Sequence, residues 1–208
     1  MIDYFKIAKF FLLISVLAVG LVTVSTLFPF IVGKYTWFRA TIGLAALAFG
    51  LGLLLQREGE VFWSQLKQIF RRPLVIAVSV FTAVFLLACL FGVNPVNSFW
   101  SNFERGEGGL QILTFYVFFL LAVTLFREEK DWRRLMIFSL VGAVLAILYG
   151  LGAGWQLGRF IGPVFSEPGL RFYGSIGNPA YMATYLIFAM AYCLYLLFAY
   201  PKNKKEKS

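Results

Sequence analysis

Residues 73–93 read PLVIAVSVFTAVFLLACLFGV: about twenty residues, none of them charged, opened by a proline. A helix of that length crosses a hydrocarbon core of ~30 Å. Lipid offers no partner for a free N–H or C=O, so such a run has to close its own backbone hydrogen bonds as an α-helix. Working outward, five more runs share this character: Phe10–Gly33, Ala40–Leu55, Gly108–Phe126, Leu135–Trp155 and Ala180–Tyr200. The expected fold is all-α, a polytopic transmembrane helical bundle with six spans. The runs are evenly spaced with no long polar linker, so residues 1–200 read as a single transmembrane domain and residues 201–208 as a basic cytoplasmic tail.

Composition agrees. The chain of 208 residues is 60% hydrophobic with a mean hydropathy of +0.79, beyond the range of soluble domains. The net charge of +9 does not point to nucleic acid, because the cations sit beside membrane segments, where they meet anionic headgroups and fix orientation. Cys89 and Cys193 lie inside apolar runs and read as small hydrophobes. The absence of histidine removes the commonest general base and a common metal ligand. The apolar stretch after Lys6 and Lys9 is too long for a signal peptide and reads as an uncleaved first helix.

Charge fixes the expected orientation. Lys6, Lys9, the segment with Arg57, Lys67, Arg71 and Arg72, the segment with Arg127, Lys130, Arg133 and Arg134, and the lysine-rich tail together hold fourteen of the nineteen cations. The alternate loops hold five: Lys34, Arg39, Arg105, Arg159 and Arg171. The positive-inside rule then places both termini in the cytoplasm, as an even number of spans requires. Residues Glu60–Arg72 put Phe62, Leu66, Ile69 and Phe70 on one face, the pattern of a short helix lying in the inner headgroup layer. Tyr35, Trp37, Trp63, Trp100, Trp132, Trp155 and Tyr200 sit near span ends as an aromatic belt, and the Gly150–Gly154 spacing suits close helix packing.

Two outward loops depart from this pattern. Residues 94–109, NPVNSFWSNFERGEGG, set Arg105 among glycines and carboxylates. Glycine-flanked arginine can turn its fork toward a ligand; equally, Arg105 can pair with Glu104 or Glu107 and cap the next span. Residues 156–179 carry Arg159, Glu167, Arg171, Tyr173, Gly174, Gly177 and Asn178-Pro179. Gly-Asn-Pro is a turn leading into a helix, with Pro179 at the first helical position. The positive end of that helix beside Arg171 suits an anion, and a plain turn with an interfacial arginine fits the same residues.

At these loops the chain resembles the O-antigen ligase-like family of bacterial envelopes, which includes O-antigen polymerases. Residues 98–108, SFWSNFERGEG, resemble its outward "SFWGNFxRxEG" segment; residues 126–134, FREEKDWRR, its following inner loop; and residues 171–186, RFYGSIGNPAYMATYL, its "GTIGNPAYLAAYL" helix start. The resemblance covers about Phe91 to Leu197. It implies a metal-independent membrane glycosyltransferase of lipopolysaccharide biosynthesis, in the bacterial cytoplasmic (inner) membrane. A glycan on undecaprenyl pyrophosphate would pass to an acceptor sugar at the outer face, with no cofactor and no metal. By motif position Arg105 and Arg171 are the phosphate contacts, and Glu107, Tyr173, Gly177 and Asn178 complete the candidate substrate site; no catalytic residue is assigned.

Family members usually have about twice as many helices and a second large outer loop with further arginine and a histidine. The expectation is a truncated or split form, inactive alone, with a second chain supplying the missing helices and loop. The alternatives are a non-catalytic membrane subunit or lipid-glycan binding protein, and a small transporter. Against transport, no acidic residue lies mid-membrane in any expected span.

Overall fold

The computed structural model of the chain describes residues 3–23, 26–55, 66–102, 105–152 and 171–199. All regular elements among them are helical. Helix α1 spans Tyr4–Ser15, α2 Val32–Leu55, α3 Pro73–Leu90, α4 Pro95–Trp100, α5 Gly109–Leu125, α6 Glu129–Gly150 and α7 Pro179–Leu194. Short 3₁₀ turns occupy Val16–Gly20 and Gly174–Ile176, and α7 runs on into a π-helical turn at Tyr195–Ala199. Four helices are long and apolar enough to cross a membrane: α2, α3, α6 and the stretch Pro179–Phe198. Helix α5 is equally apolar but has 17 residues, about 25 Å of rise.

Local chemistry sets these boundaries. Pro73 and Pro179 occupy the first turns of α3 and α7, where a missing N–H costs nothing. Asp3 opens α1: its carboxylate accepts from the Lys6 N–H at 3.1 Å and pairs with Lys6 Nζ at 3.1 Å. Hydrogen bonding from the Lys6 side chain, then from its backbone, holds the Asp3 carboxyl below its ordinary pKa. Glu129 and Asp131 lie in the first turn of α6, where the helix dipole favours anions.

The run Phe10–Gly33 is not one helix. It breaks after Ser15 into the 3₁₀ turn and then into a loop. Pro29 has no N–H to give a helix. The loop closes on itself instead: the Thr23 N–H donates to the Pro29 carbonyl at 2.9 Å and Thr26 Oγ1 donates to the Thr23 carbonyl at 2.9 Å. The next helix starts at Val32 instead of Ala40, so Lys34 and Arg39, expected in a loop, are helical residues.

The chain falls into two compact units that interleave in sequence: residues 1–15 with 35–128, and residues 16–34 with 129–208. In the first, α1 buries Ala8, Leu12 and Ser15, one face at helical spacing. Its Phe5 ring packs edge-on to Phe49 of α2, at 5.8 Å, and a Cβ on Gly52 would meet that ring at 3.0 Å. Trp37 Nε1 donates to the Ile14 carbonyl at 3.0 Å. Helices α3 and α5 pack together and share a hydrogen bond of 2.8 Å between Ser79 Oγ and the Tyr116 hydroxyl. In the second unit, α6 packs on both 3₁₀ turns and on α7. Gly142 permits this: a Cβ there would lie 2.8 Å from Val19 and 3.2 Å from the Tyr185 hydroxyl, which itself donates to the Ser139 carbonyl at 2.9 Å.

Large side chains stay exposed along α3, among them Leu74, Val80, Phe81, Val84 and Leu87. A helix apolar on all sides, with so few of its residues covered, matches lipid better than water. The expected interfacial helix at Glu60–Arg72 is described only from residue 66 on. Residues 66–69 are helical, Ile69 is buried, and Lys67, Arg71 and Arg72 are exposed. Trp63, Glu104, Gly154, Trp155, Arg159, Glu167, Tyr200 and the basic tail lie outside the described residues.

Candidate functional site

The first motif-bearing loop belongs to the first unit. Asn94 Oδ1 accepts from the Asn97 N–H at 3.1 Å and so caps α4, with Pro95 in its first turn. The chain leaves α4 through Ser101 at φ +60° and turns again at Gly106, φ +61°. Asn102 Oδ1 accepts from the Arg105 N–H at 2.9 Å. A Cβ on Gly108 would lie 2.5 Å from the Phe99 carbonyl oxygen, so only glycine lets α5 start this close to α4. Gly106 and Gly108 are buried, while Arg105 and Glu107 between and beside them are exposed. Among the described residues Arg105 and Glu107 form no ion pair with each other.

This turn is held by a residue that sequence reasoning counted only for orientation. Arg39, half-buried on α2, donates from Nη2 to the Gly106 carbonyl at 2.6 Å and from Nε to Gln111 Oε1 at 2.9 Å. Its guanidinium carbon lies 4.6 Å from the centre of the Tyr35 ring, a cation–π contact. The same ring closes over Gly106, where a Cβ would approach to 2.7 Å. Gln111 is buried in the first turns of α5. The available signal was polarity itself: an arginine in the second turn of α2 and a glutamine inside the fourth apolar run are rare residues at membrane depth.

The second motif-bearing loop belongs to the second unit and holds Arg171, Tyr173, Gly177 and Asn178. Arg171 is exposed. Tyr173 is half-buried, edge-on to Phe30 at 5.9 Å, and Phe30 also meets Tyr149 edge-on at 6.4 Å. The 3₁₀ turn Gly174–Ile176 ends at Gly177, whose φ of +78° and closeness to Phe30, 2.5 Å from a would-be Cβ, both demand glycine. Asn178 then caps α7, its Oδ1 accepting from the N–H groups of Ala180 at 2.9 Å and Tyr181 at 3.4 Å.

That cap changes the expected anion chemistry. Pro179 has no N–H, Ala180 and Tyr181 are taken by Asn178, and the Met182 N–H bonds the Asn178 carbonyl at 2.9 Å. The start of α7 therefore has no spare backbone donor, and only its dipole and the Arg171 side chain remain to attract an anion. The turn itself is pinned by Lys34, also read from sequence as a loop cation. Its ammonium bridges the carbonyls of Leu21, at 2.6 Å, and Ser175, at 2.7 Å. Ser175 is buried and its hydroxyl donates to the Val19 carbonyl at 2.6 Å.

The structure thus places Arg105 and Glu107 in one unit and Arg171, Tyr173, Gly177 and Asn178 in the other. Among the described residues no group of histidine, cysteine and carboxylate side chains is arranged to hold a metal. Comparison with protein-family models, with curated proteins and with solved structures returned no match for this chain.

Proposed function

We propose that this chain is an O-antigen ligase/polymerase-like protein of the bacterial inner membrane, crossing it six times with both termini in the cytoplasm, and that its outward loops bind a glycan carried on undecaprenyl pyrophosphate. In that reading Arg105 and Arg171 meet phosphate oxygens, Glu107 and Tyr173 line the glycan, and Gly177 with Asn178 set the helix start beneath it. Glycosyl transfer to an acceptor sugar is the reaction this binding serves, with a second chain as partner.

The observation that carries the reading is the Arg105 turn. Arg39 holds the Gly106 carbonyl, Asn102 holds the Arg105 N–H and Gly108 lies close against Phe99, yet the Arg105 side chain is exposed. A turn tied down beside an exposed guanidinium, with no ion pair to it among the described residues, suits bidentate capture of phosphate. The same exposed arginine and turn equally support a lipid-glycan binding protein without transferase activity.

The test is reconstitution in nanodiscs with undecaprenyl pyrophosphate-linked oligosaccharide. The reading expects saturable binding, weakened about tenfold or more by Arg105→Ala and by Arg171→Ala. Unchanged binding in both variants removes the site. Adding an acceptor glycan separates the two versions: transfer identifies an enzyme, and binding without transfer identifies the binding protein.

A further inference from the structure

We propose that Arg39 is itself a phosphate ligand, forming with Arg105 a two-guanidinium site for a phosphate oxyanion. The inference deepens the reading above and rests on it for the identity of the lipid that brings the phosphate.

The argument starts from the donor inventory of arginine. A guanidinium carries five N–H donors, on a side edge shared by Nε and Nη2 and an end edge shared by Nη1 and Nη2. In Arg39 two of these donors are used, one on Nε by Gln111 and one on Nη2 by the Gly106 carbonyl. One face lies against Tyr35. Both hydrogens of Nη1 and the second hydrogen of Nη2 have no partner among the described residues, donors enough for two oxygens of a phosphate. The group is therefore held by two hydrogen bonds and one ring face and keeps donors for bidentate binding.

Three further facts favour an anion there. Arg39 lies inside an apolar helix, where an ionised group without function is costly. Gln111, buried and apolar-flanked, spends its carbonyl on orienting this guanidinium. The oxygen that Arg39 holds belongs to Gly106, the residue next to Arg105 in the chain, and no carboxylate is bonded to either arginine among the described residues. A tetrahedral phosphate can accept from both, and a pyrophosphate has oxygens enough to do so bidentately.

The chemistry is common to lipid headgroups and to free phosphate. The experiment therefore measures binding of undecaprenyl pyrophosphate, undecaprenyl monophosphate and inorganic pyrophosphate to the full chain in nanodiscs of neutral lipid. Wild type is compared with Arg39→Gln, Arg39→Lys, Gln111→Leu and Arg105→Ala, and thermal unfolding is followed in parallel.

The expected result is a loss of about tenfold or more in affinity for the pyrophosphate species with Arg39→Gln. Arg39→Lys keeps the charge but loses the fork, so a loss of several-fold remains. Should Arg39→Gln fail to fold, Arg39→Lys and Gln111→Leu carry the test, since Gln111→Leu frees the fork without removing it and weakens binding less than Arg39→Lys. Binding of inorganic pyrophosphate alone, lost in Arg39→Gln, supports this site and removes the lipid reading. Binding of the lipid pyrophosphate that is unchanged in folded Arg39→Gln and Arg39→Lys overturns this site and leaves the lipid reading standing. No binding of any phosphate species by the wild type overturns both.

Discussion

The Lys34 ammonium lies 2.7 Å from the carbonyl oxygen of Ser175, a residue 141 positions further along the chain. This bond, with its partner to the Leu21 carbonyl, ties the loop before α2 to the turn that starts α7. Lys34→Met keeps the stem and removes the donors, leaving the carbonyl of buried Ser175 without its donor. The expected loss is about 1–3 kcal/mol of stability, read by thermal unfolding in detergent. An unchanged midpoint would mean that water replaces the ammonium at no cost.

Gly177 answers two demands that a double variant separates. Gly177→Ala forces a β-carbon into a φ of +78° and against Phe30. The expected cost is about 1–3 kcal/mol, mostly backbone strain. Adding Phe30→Gly, which also removes the Phe30 Cβ that lies 2.8 Å from a Cβ at 177, relieves the steric part alone, so the double variant stays less stable than Phe30→Gly by roughly 1 kcal/mol. Equal stability of the two would place the whole effect in the contact with the Phe30 side chain.

Asn178→Ala removes the cap from α7 and exposes the N–H groups of Ala180 and Tyr181. Stability should fall by about 1 kcal/mol. Because those amides become free, any anion affinity at this helix start should rise, not fall. Titration with inorganic pyrophosphate checks the sign.

The proposed sidedness rests on charge and is tested by thiol labelling. In a Cys193→Ala background, with the remaining Cys89 buried, cysteines introduced at Asn94, Val96 or Glu107 should react with a membrane-impermeant maleimide on intact cells. Cysteines at Gln68 or Arg71 should react only after the membrane is opened. The reverse pattern would turn the topology inside out.

Much of the helical layout is legible in the sequence, and the reasons are local. Proline at a first helical position marks the starts of α3 and α7, and Asn178 before Pro179 announces its own cap. The break within Phe10–Gly33 is hidden because hydropathy sees only apolar side chains; Pro29 was the residue that told against a continuous helix. Lys34 and Arg39 look like loop cations for a deeper reason. A charge is tolerated inside α2 only because carbonyls of Leu21, Ser175 and Gly106 and the amide of Gln111 satisfy it, and those partners are up to 141 residues away. No window of sequence contains such pairs. The same holds for the candidate site: Arg105 is conspicuous among its glycines, whereas Arg39 gains its meaning only from what it touches.

The central claim is that the guanidinium-bearing loops meet a lipid-borne phosphate. Photo-crosslinking with a photoactivatable undecaprenyl pyrophosphate analogue, followed by peptide mapping of the labelled chain, tests it most directly. The account predicts adducts on the peptide around Arg105, on that around Arg171, or on both, competed away by unmodified undecaprenyl pyrophosphate. Adducts confined to the segment around Lys67, Arg71 and Arg72, or labelling that excess unmodified lipid leaves untouched, would contradict it.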